Sequence, residues 1–367
     1  MAVRDAPTHG GNVHAAARDL RRSVGSILDF SASINPLGPS AKALRSLRLE
    51  TQLIGHYPDP DCVSLRGAIA RRCRVDVERI VVGNGSTELI DLLPRALSFR
   101  SVLIVGPTYG EYASAVGRAG GEWTMIMADK DQEYRPPLEQ LIDRLSRRRR
   151  RGPGMDSIFL CHPNSPTGRP SRREHLQALF AAAESARVWV VVDESFIEYC
   201  PTLTCVPQQH RYSRLIILRS FTKFYGLPGL RVGYSLSSRS VAAALRRLQP
   251  PWTVNAAAQQ AAEAAMADAS HAERCLITVQ NERPWLAGGL SAIDGVSVIP
   301  SAANFLLLEL PPSSRATMIT AALRRQGILV RDCSSIEGCT ERMIRVAVRR
   351  RQDNQRLLAA LTRLLQK

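Results

Sequence analysis

Between residues 80 and 235 the chain repeats one unit: a short apolar run, a loop containing glycine, proline or acid, then a segment with helical apolar spacing. The runs occupy 80–82, 101–105, 157–161, 188–192 and 214–218, with a further strand-like stretch around 123–127. Each has strand length, and runs this uniformly apolar are covered on both faces. Strands alternating with helices predict an α/β fold with a mostly parallel central sheet flanked by helices. Ligands of such sheets gather beyond the strand ends. The residues just after each run are therefore the ones to read for chemistry.

Beyond residue 255 the pattern changes. An Ala-rich helical stretch runs to about residue 285, long enough to bridge two domains. It is followed by strand-like segments at 295–299, 304–308 and 343–348 and helices at 314–326 and 352–366, a smaller α+β domain. The expected division is an N-terminal arm and small-domain segment at 1–45, a large domain at 46–255, and a linker helix with the small domain at 256–367. A chain of 367 residues that is 45% hydrophobic supports two such cores.

The net charge of +16 raises nucleic acid and anionic membranes as partners. The distribution argues against both. Arginines are scattered along the chain apart from Arg147-Arg148-Arg149-Arg150-Arg151, which lies beside Gly152-Pro153-Gly154 without interleaved aromatics and reads as a solvated loop. The eight cysteines show neither a Cys-x-x-Cys pair nor zinc spacing, so no metal is expected and the thiols read as reduced and buried. With no basic-then-apolar leader and no apolar run of spanning length, the expectation is a cytoplasmic protein.

Lys223 falls just past the run at 214–218, with the hydroxyls of Ser220 and Thr222 beside it and the guanidinium fork of Arg231 eight residues on. An amine desolvated among cations is biased toward its neutral, nucleophilic form, as covalent attachment to a carbonyl cofactor requires, and this points to pyridoxal phosphate. Gly83-Asn84-Gly85-Ser86-Thr87-Glu88 follows another strand and opens a helix, which presents N–H groups and hydroxyls to a phosphate; an ordinary capped helix reads the same way. Tyr109, in Pro107-Thr108-Tyr109, suits a ring lying over an aromatic cofactor or simple core packing. Two prolines around Asn164 fix a rigid loop. Asp193 ends the run at 188–192 and needs a cationic partner, either a pyridinium nitrogen or a structural salt bridge. Tyr57 sits on an exposed proline-rich turn. His9-Gly10-Gly11-Asn12 and the loop holding Asn35 are glycine-rich segments that serve as turns or as anion sites. Arg331, Asp332 and Arg345 are the polar residues at small-domain strand ends expected to face the large domain.

The ordered set Gly83-Asn84-Gly85-Ser86-Thr87-Glu88, Pro107-Thr108-Tyr109, Pro163-Asn164-Ser165-Pro166-Thr167-Gly168, Asp193-Glu194-Ser195-Phe196, Ser220-Phe221-Thr222-Lys223 and Gly229-Leu230-Arg231-Val232-Gly233-Tyr234 resembles the class I/II, fold-type I pyridoxal-phosphate enzymes over nearly the whole chain. The nearest broad group is the histidinol-phosphate aminotransferase branch. Within it, His9 to Asn12, Asp29 to Gly38, Pro251-Trp252-Thr253-Val254-Asn255 and Val330-Arg331-Asp332-Cys333 look like the threonine-phosphate decarboxylases of cobalamin biosynthesis.

The resemblance implies that Lys223 binds pyridoxal phosphate covalently, Asp193 meets its ring nitrogen, Asn164 its ring hydroxyl, and Tyr109 its face. It implies phosphate contacts from Gly85, Ser86, Thr87, Ser220 and Arg231, joined by Tyr57 of the other subunit of a homodimer with shared sites, with Thr222 also at the cofactor. His9, Gly10, Asn35, Asn164, Arg331 and Arg345 would surround a small phosphorylated amino acid. Two positions depart from the usual pattern. His162 stands where the family usually has Asn, and Phe196 stands where the aminotransferase branch has Tyr, which the decarboxylase pattern tolerates. The expected reaction is decarboxylation of O-phospho-L-threonine; the alternative is a histidinol-phosphate-type aminotransferase using 2-oxoglutarate and glutamate.

Overall fold

A computed structural model describes residues 10–49, 55–148 and 154–366. Its first strand, β1 (Leu28–Asp29), belongs to the N-terminal segment. Seven strands then build the large sheet: β2 (Ile80–Gly83), β3 (Ser101–Gly106), β4 (Glu122–Met127), β5 (Ser157–Cys161), β6 (Trp189–Asp193), β7 (Leu215–Ser220) and β8 (Gly233–Leu236). Their order across the sheet is β2-β8-β7-β6-β5-β3-β4, and only β8 runs against the others. The mostly parallel sheet expected from the alternating runs is present. β8 begins with the last two residues of the Gly-Leu-Arg-Val-Gly-Tyr motif, and its four residues Gly233-Tyr234-Ser235-Leu236 gave no apolar run to detect.

The pleat divides each strand between two cores. In β7, Leu215 and Ile217 face one cluster with helices Val63–Cys73, Leu138–Arg148, Arg173–Ser185 and Ala256–Met266, while Ile216 and Leu218 face another with Ser86–Ala96, Glu111–Arg118 and Arg239–Leu248. Burial of a whole Leu or Ile side chain stabilises by about 1.5–3 kcal/mol, so this two-sided alternation pins the register of the strands that carry the site.

The remaining strands are β9 (Ser297–Ile299), β10 (Phe305–Glu309), β11 (Ile328–Leu329), β12 (Arg331–Asp332) and β13 (Met343–Ala347). An antiparallel sheet of order β12-β13-β10-β9 carries helices Ala316–Arg325 and Arg351–Leu365 around its own core. β1 pairs in parallel with β11, which joins the N-terminal segment to this smaller unit. The expected long Ala-rich helix is two helices, Ala256–Met266 and Ala269–Ser291. Asp268 separates them because its carboxylate accepts from the His271 amide and starts the second helix as its cap. Of the arginine run, Arg147 and Arg148 end helix Leu138–Arg148, and Arg149 to Arg151 lie outside the described residues. Among the described residues no helix is long and apolar enough to cross a membrane, and no cluster of three metal-ligating side chains occurs.

Candidate active site

Lys223 lies in the turn after β7, and Asp193 ends the adjacent β6, whose register pairs it with Leu218. Neighbouring parallel strands thus deliver an amine and a carboxylate to the same sheet edge. The Lys223 amine makes no hydrogen bond among the described residues and lies 5.9 Å from the centre of the Phe196 ring. Burial, with the charges of Arg345 and Arg231 adding to it, pulls its pKa down to about 8, against the opposing carboxylates of Asp193 and Asp29. Asp193 is buried. Its Oδ1 accepts from the Ser195 amide at 2.9 Å and hydroxyl at 2.6 Å, and its Oδ2 accepts from the Tyr112 hydroxyl at 2.7 Å. Burial still pushes the carboxyl upward, and these bonds and Lys223 counter it.

The helix Ser86–Ala96 begins at this edge, and no side chain caps it: Gly85 is the N-cap, with φ +77. Its first N–H groups are therefore available to an anion. A Cβ on Gly85 would stand 2.5 Å from Arg231 Nη2, so both the backbone conformation and the approach of the guanidinium require glycine. Arg231 adopts a left-handed backbone (φ 57) and donates to Thr222 Oγ1 and the Pro228 carbonyl. Ser220 is buried and accepts from the Thr222 amide. Half-buried Tyr109 pairs with Thr87, which brings its ring to the same helix end. A cradle of helix N-terminus, hydroxyls and arginine, an unpaired amine, and a buried carboxylate awaiting a cation fit the phosphate, aldehyde and ring nitrogen of pyridoxal phosphate.

Asn164 is buried and fully engaged as a donor: Nδ2 donates to the Pro107 carbonyl and Thr167 Oγ1, and Oδ1 accepts from Thr108. Only a lone pair on Oδ1 remains for a ligand. His162 is a brace. Its Nδ1 accepts from the Ser171 amide, its Nε2 faces the Leu203 carbonyl, and burial lowers its pKa and keeps it neutral.

On the small-sheet side, Arg331 of β12 stands directly opposite Arg345 of β13. Arg345 donates to Ser165 Oγ at 2.8 Å and the Ser31 carbonyl at 3.0 Å, and lies 5.0 Å over the Phe305 ring. Its Nε is buried without a partner. The Arg331 guanidinium has no hydrogen bond or ion pair among the described residues. Gly10, Asn12, Ser31, Thr320, Arg331 and Ser334 help line a cavity of about 500 Å³. Lys223 and Arg345 do not line it; Ser31 connects the two places, because its carbonyl accepts from Arg345.

Other expected residues have different neighbours. Asn35 is committed to the fold: Nδ2 donates to the Phe224 carbonyl, Oδ1 accepts from the Leu37 amide, and its own amide donates to the Lys223 carbonyl. Asn12 caps the helix Val13–Leu20, His9 lies outside the described residues, and Tyr57 is 79% exposed with its ring on Trp252, 4.5 Å away. Sequence reading passed over Tyr112 and Ser195. Ser195, two residues after a strand-ending Asp, had a local Asx-turn signal; Tyr112 reaches Asp193 only through the fold.

The model of the aminotransferase class I and II family matches residues 25–361. The chain belongs to that family. It has the fold-type I architecture, and its cofactor is pyridoxal 5′-phosphate. It is 37% identical to the threonine-phosphate decarboxylase of Salmonella typhimurium over 97% of this chain and 96% of the relative. The crystal structure of the histidinol-phosphate aminotransferase from Clostridium acetobutylicum superimposes with a TM-score of 0.85 at 28% identity, covering 93% of this chain and 99% of that one. The L-threonine-O-3-phosphate decarboxylase structure from Porphyromonas gingivalis gives 0.81 at 27% identity, covering 93% and 100%.

Proposed function

We propose that this family member decarboxylates O-phospho-L-threonine, releasing carbon dioxide and (R)-1-aminopropan-2-yl phosphate for the aminopropanol arm of cobalamin. The observation that carries the reading of a doubly anionic substrate is the Arg331–Arg345 pair. Like charges directly opposite in an antiparallel pair repel, and Arg331 has no anion among the described residues. A substrate that brings both a carboxylate and a phosphate offsets that repulsion. Histidinol phosphate brings one anionic group, but glutamate, the amino donor of that alternative, brings two, so the Salmonella relative is what favours the decarboxylase.

When bound, pyridoxal phosphate supplies an electron sink for whichever Cα bond is held perpendicular to its ring. Orientation therefore decides the reaction. Arg331, Arg345 and the segment from His9 to Asn12 hold the substrate's anions, so that the carboxylate leaves the ring plane. Lys223, with a pKa near 8, returns a proton to Cα once carbon dioxide has left. Phe196 lies beside the amine without a hydroxyl. Exposed Tyr57 completes the phosphate contacts of a second subunit in this reading: mixing inactive Lys223→Ala and Tyr57→Phe subunits restores activity in heterodimers, and no regain would reject the shared site.

The decisive experiment supplies carboxyl-labelled O-phospho-L-threonine to the holoenzyme. Stoichiometric label release without 2-oxoglutarate is expected. Glutamate formation coupled to amino-group loss would assign the protein to the aminotransferases instead.

A further inference from the structure

Asp193 receives its hydrogen bonds from two directions. Ser195 reaches Oδ1 from the same loop, with both its amide and its hydroxyl. Tyr112 reaches Oδ2 from helix Glu111–Arg118. Three donors leave the carboxylate's free acceptor capacity on Oδ2. Tyr112 is itself fixed, being buried, stacked on Phe159 at 5.3 Å and edge-on to Tyr109 at 5.6 Å. Its hydroxyl lies between the Asp193 carboxylate and the Cys161 thiol, and the carboxylate is the stronger acceptor.

We infer that Tyr112 is a positioning residue, whose hydroxyl fixes the Asp193 carboxylate and keeps it in the ionised form that a protonated cofactor ring nitrogen needs as its partner. This rests on the cofactor site alone and is indifferent to decarboxylation or transamination. Burial drives Asp193 toward its neutral acid, and a short hydrogen bond from a neutral phenol favours the anion. The titratable neighbours of Asp193 are Tyr109 and Tyr112 on one side, Cys161 at the end of the paired strand β5, and Lys223 after β7. Burial raises the pKa of both tyrosines and of the thiol, so all three stay neutral near pH 7. Lys223 is the one cation of this set, itself under the influence of Arg345 and Arg231.

Tyr112→Phe retains the stacked ring and removes only the hydroxyl. Binding of pyridoxal phosphate to the apoprotein is followed by fluorescence between pH 5 and 8 for both proteins. In the variant, the pH at which affinity falls away is expected to move up by about one unit, giving about 10-fold weaker binding on the acid side of the profile and little change on its basic side. A uniform loss at every pH, or no loss at any, would overturn the proposal, since a purely structural tyrosine does not move the midpoint. A double-mutant cycle guards against damage to the fold. In an Asp193→Asn background, adding Tyr112→Phe is expected to leave the profile unchanged; an additive further loss would equally reject the role.

Discussion

The two sides of the site are built differently. At the large-sheet edge nearly every polar group already has a protein partner: Asp193 with Ser195 and Tyr112, Asn164 with Thr108, Thr167 and Pro107, Arg231 with Thr222. At the small-sheet edge the Arg331 guanidinium has none and Arg345 has a buried, unpartnered Nε. A cofactor that stays in place is served by groups held rigid by their own hydrogen bonds. A substrate that comes and goes is served by charges left incomplete, because an arginine already neutralised by the protein gains little from binding an anion.

Four substitutions test that contrast. Lys223→Ala removes the unpaired amine on the cofactor side, and turnover should drop about 10⁴-fold, the upper range for a proton-transferring side chain. In the unaltered apoprotein, reductive labelling of Lys223 by pyridoxal phosphate and borohydride should rise with pH through about 8, since a base with a lowered pKa is neutral above that value. Adduct on Lys42 or Lys130 would break the assignment. Arg331→Gln should raise KM for O-phospho-L-threonine about 10- to 150-fold, the equivalent of about 1.5–3 kcal/mol, with cofactor affinity unchanged; a change in cofactor affinity would erase the distinction between the two sides. Gly85→Ala should do the reverse, weakening pyridoxal phosphate about 10-fold or more through a positive-φ backbone cost of about 1–3 kcal/mol, with KM little altered. Asn35→Ala should lower stability by about 1–3 kcal/mol in denaturant unfolding, because the Phe224 carbonyl and Leu37 amide lose their partner.

What could be read from the chain follows the same division. The large sheet was legible because Ser157–Cys161 and its neighbours are buried on both faces and hence continuously apolar, and the motifs after them have fixed local spacing. Lys223, Asp193 and Gly85 could be found because each sits at a strand or helix end. Tyr112 could not: its contact with Asp193 spans two intervening strands and two intervening α-helices, and a buried tyrosine in a helix looks like ordinary core. Asn35 showed the opposite difficulty. Its glycine-rich loop read equally as a turn or as an anion site, and the amide is spent holding the turn that carries Lys223. Short strands such as β1 and β12, two residues each, lie below the length at which periodicity carries information.

The segment from Asp29 to Asn35 is anchored at both ends to different bodies. At one end Asp29 pairs with Leu329, the Asp29 carbonyl accepts from Arg349, and the Phe30 carbonyl accepts from the Ala347 amide, all in the smaller unit. At the other, Asn35 grips the Lys223 carbonyl, and Gly226 abuts the backbone of Gly38 so closely that a Cβ there would lie 2.8 Å from it. The segment works as a short tendon. In the proposed reading an anion enters between Arg331 and Arg345, and this segment is then the shortest covalent route from the small sheet to the peptide that bears the reactive amine.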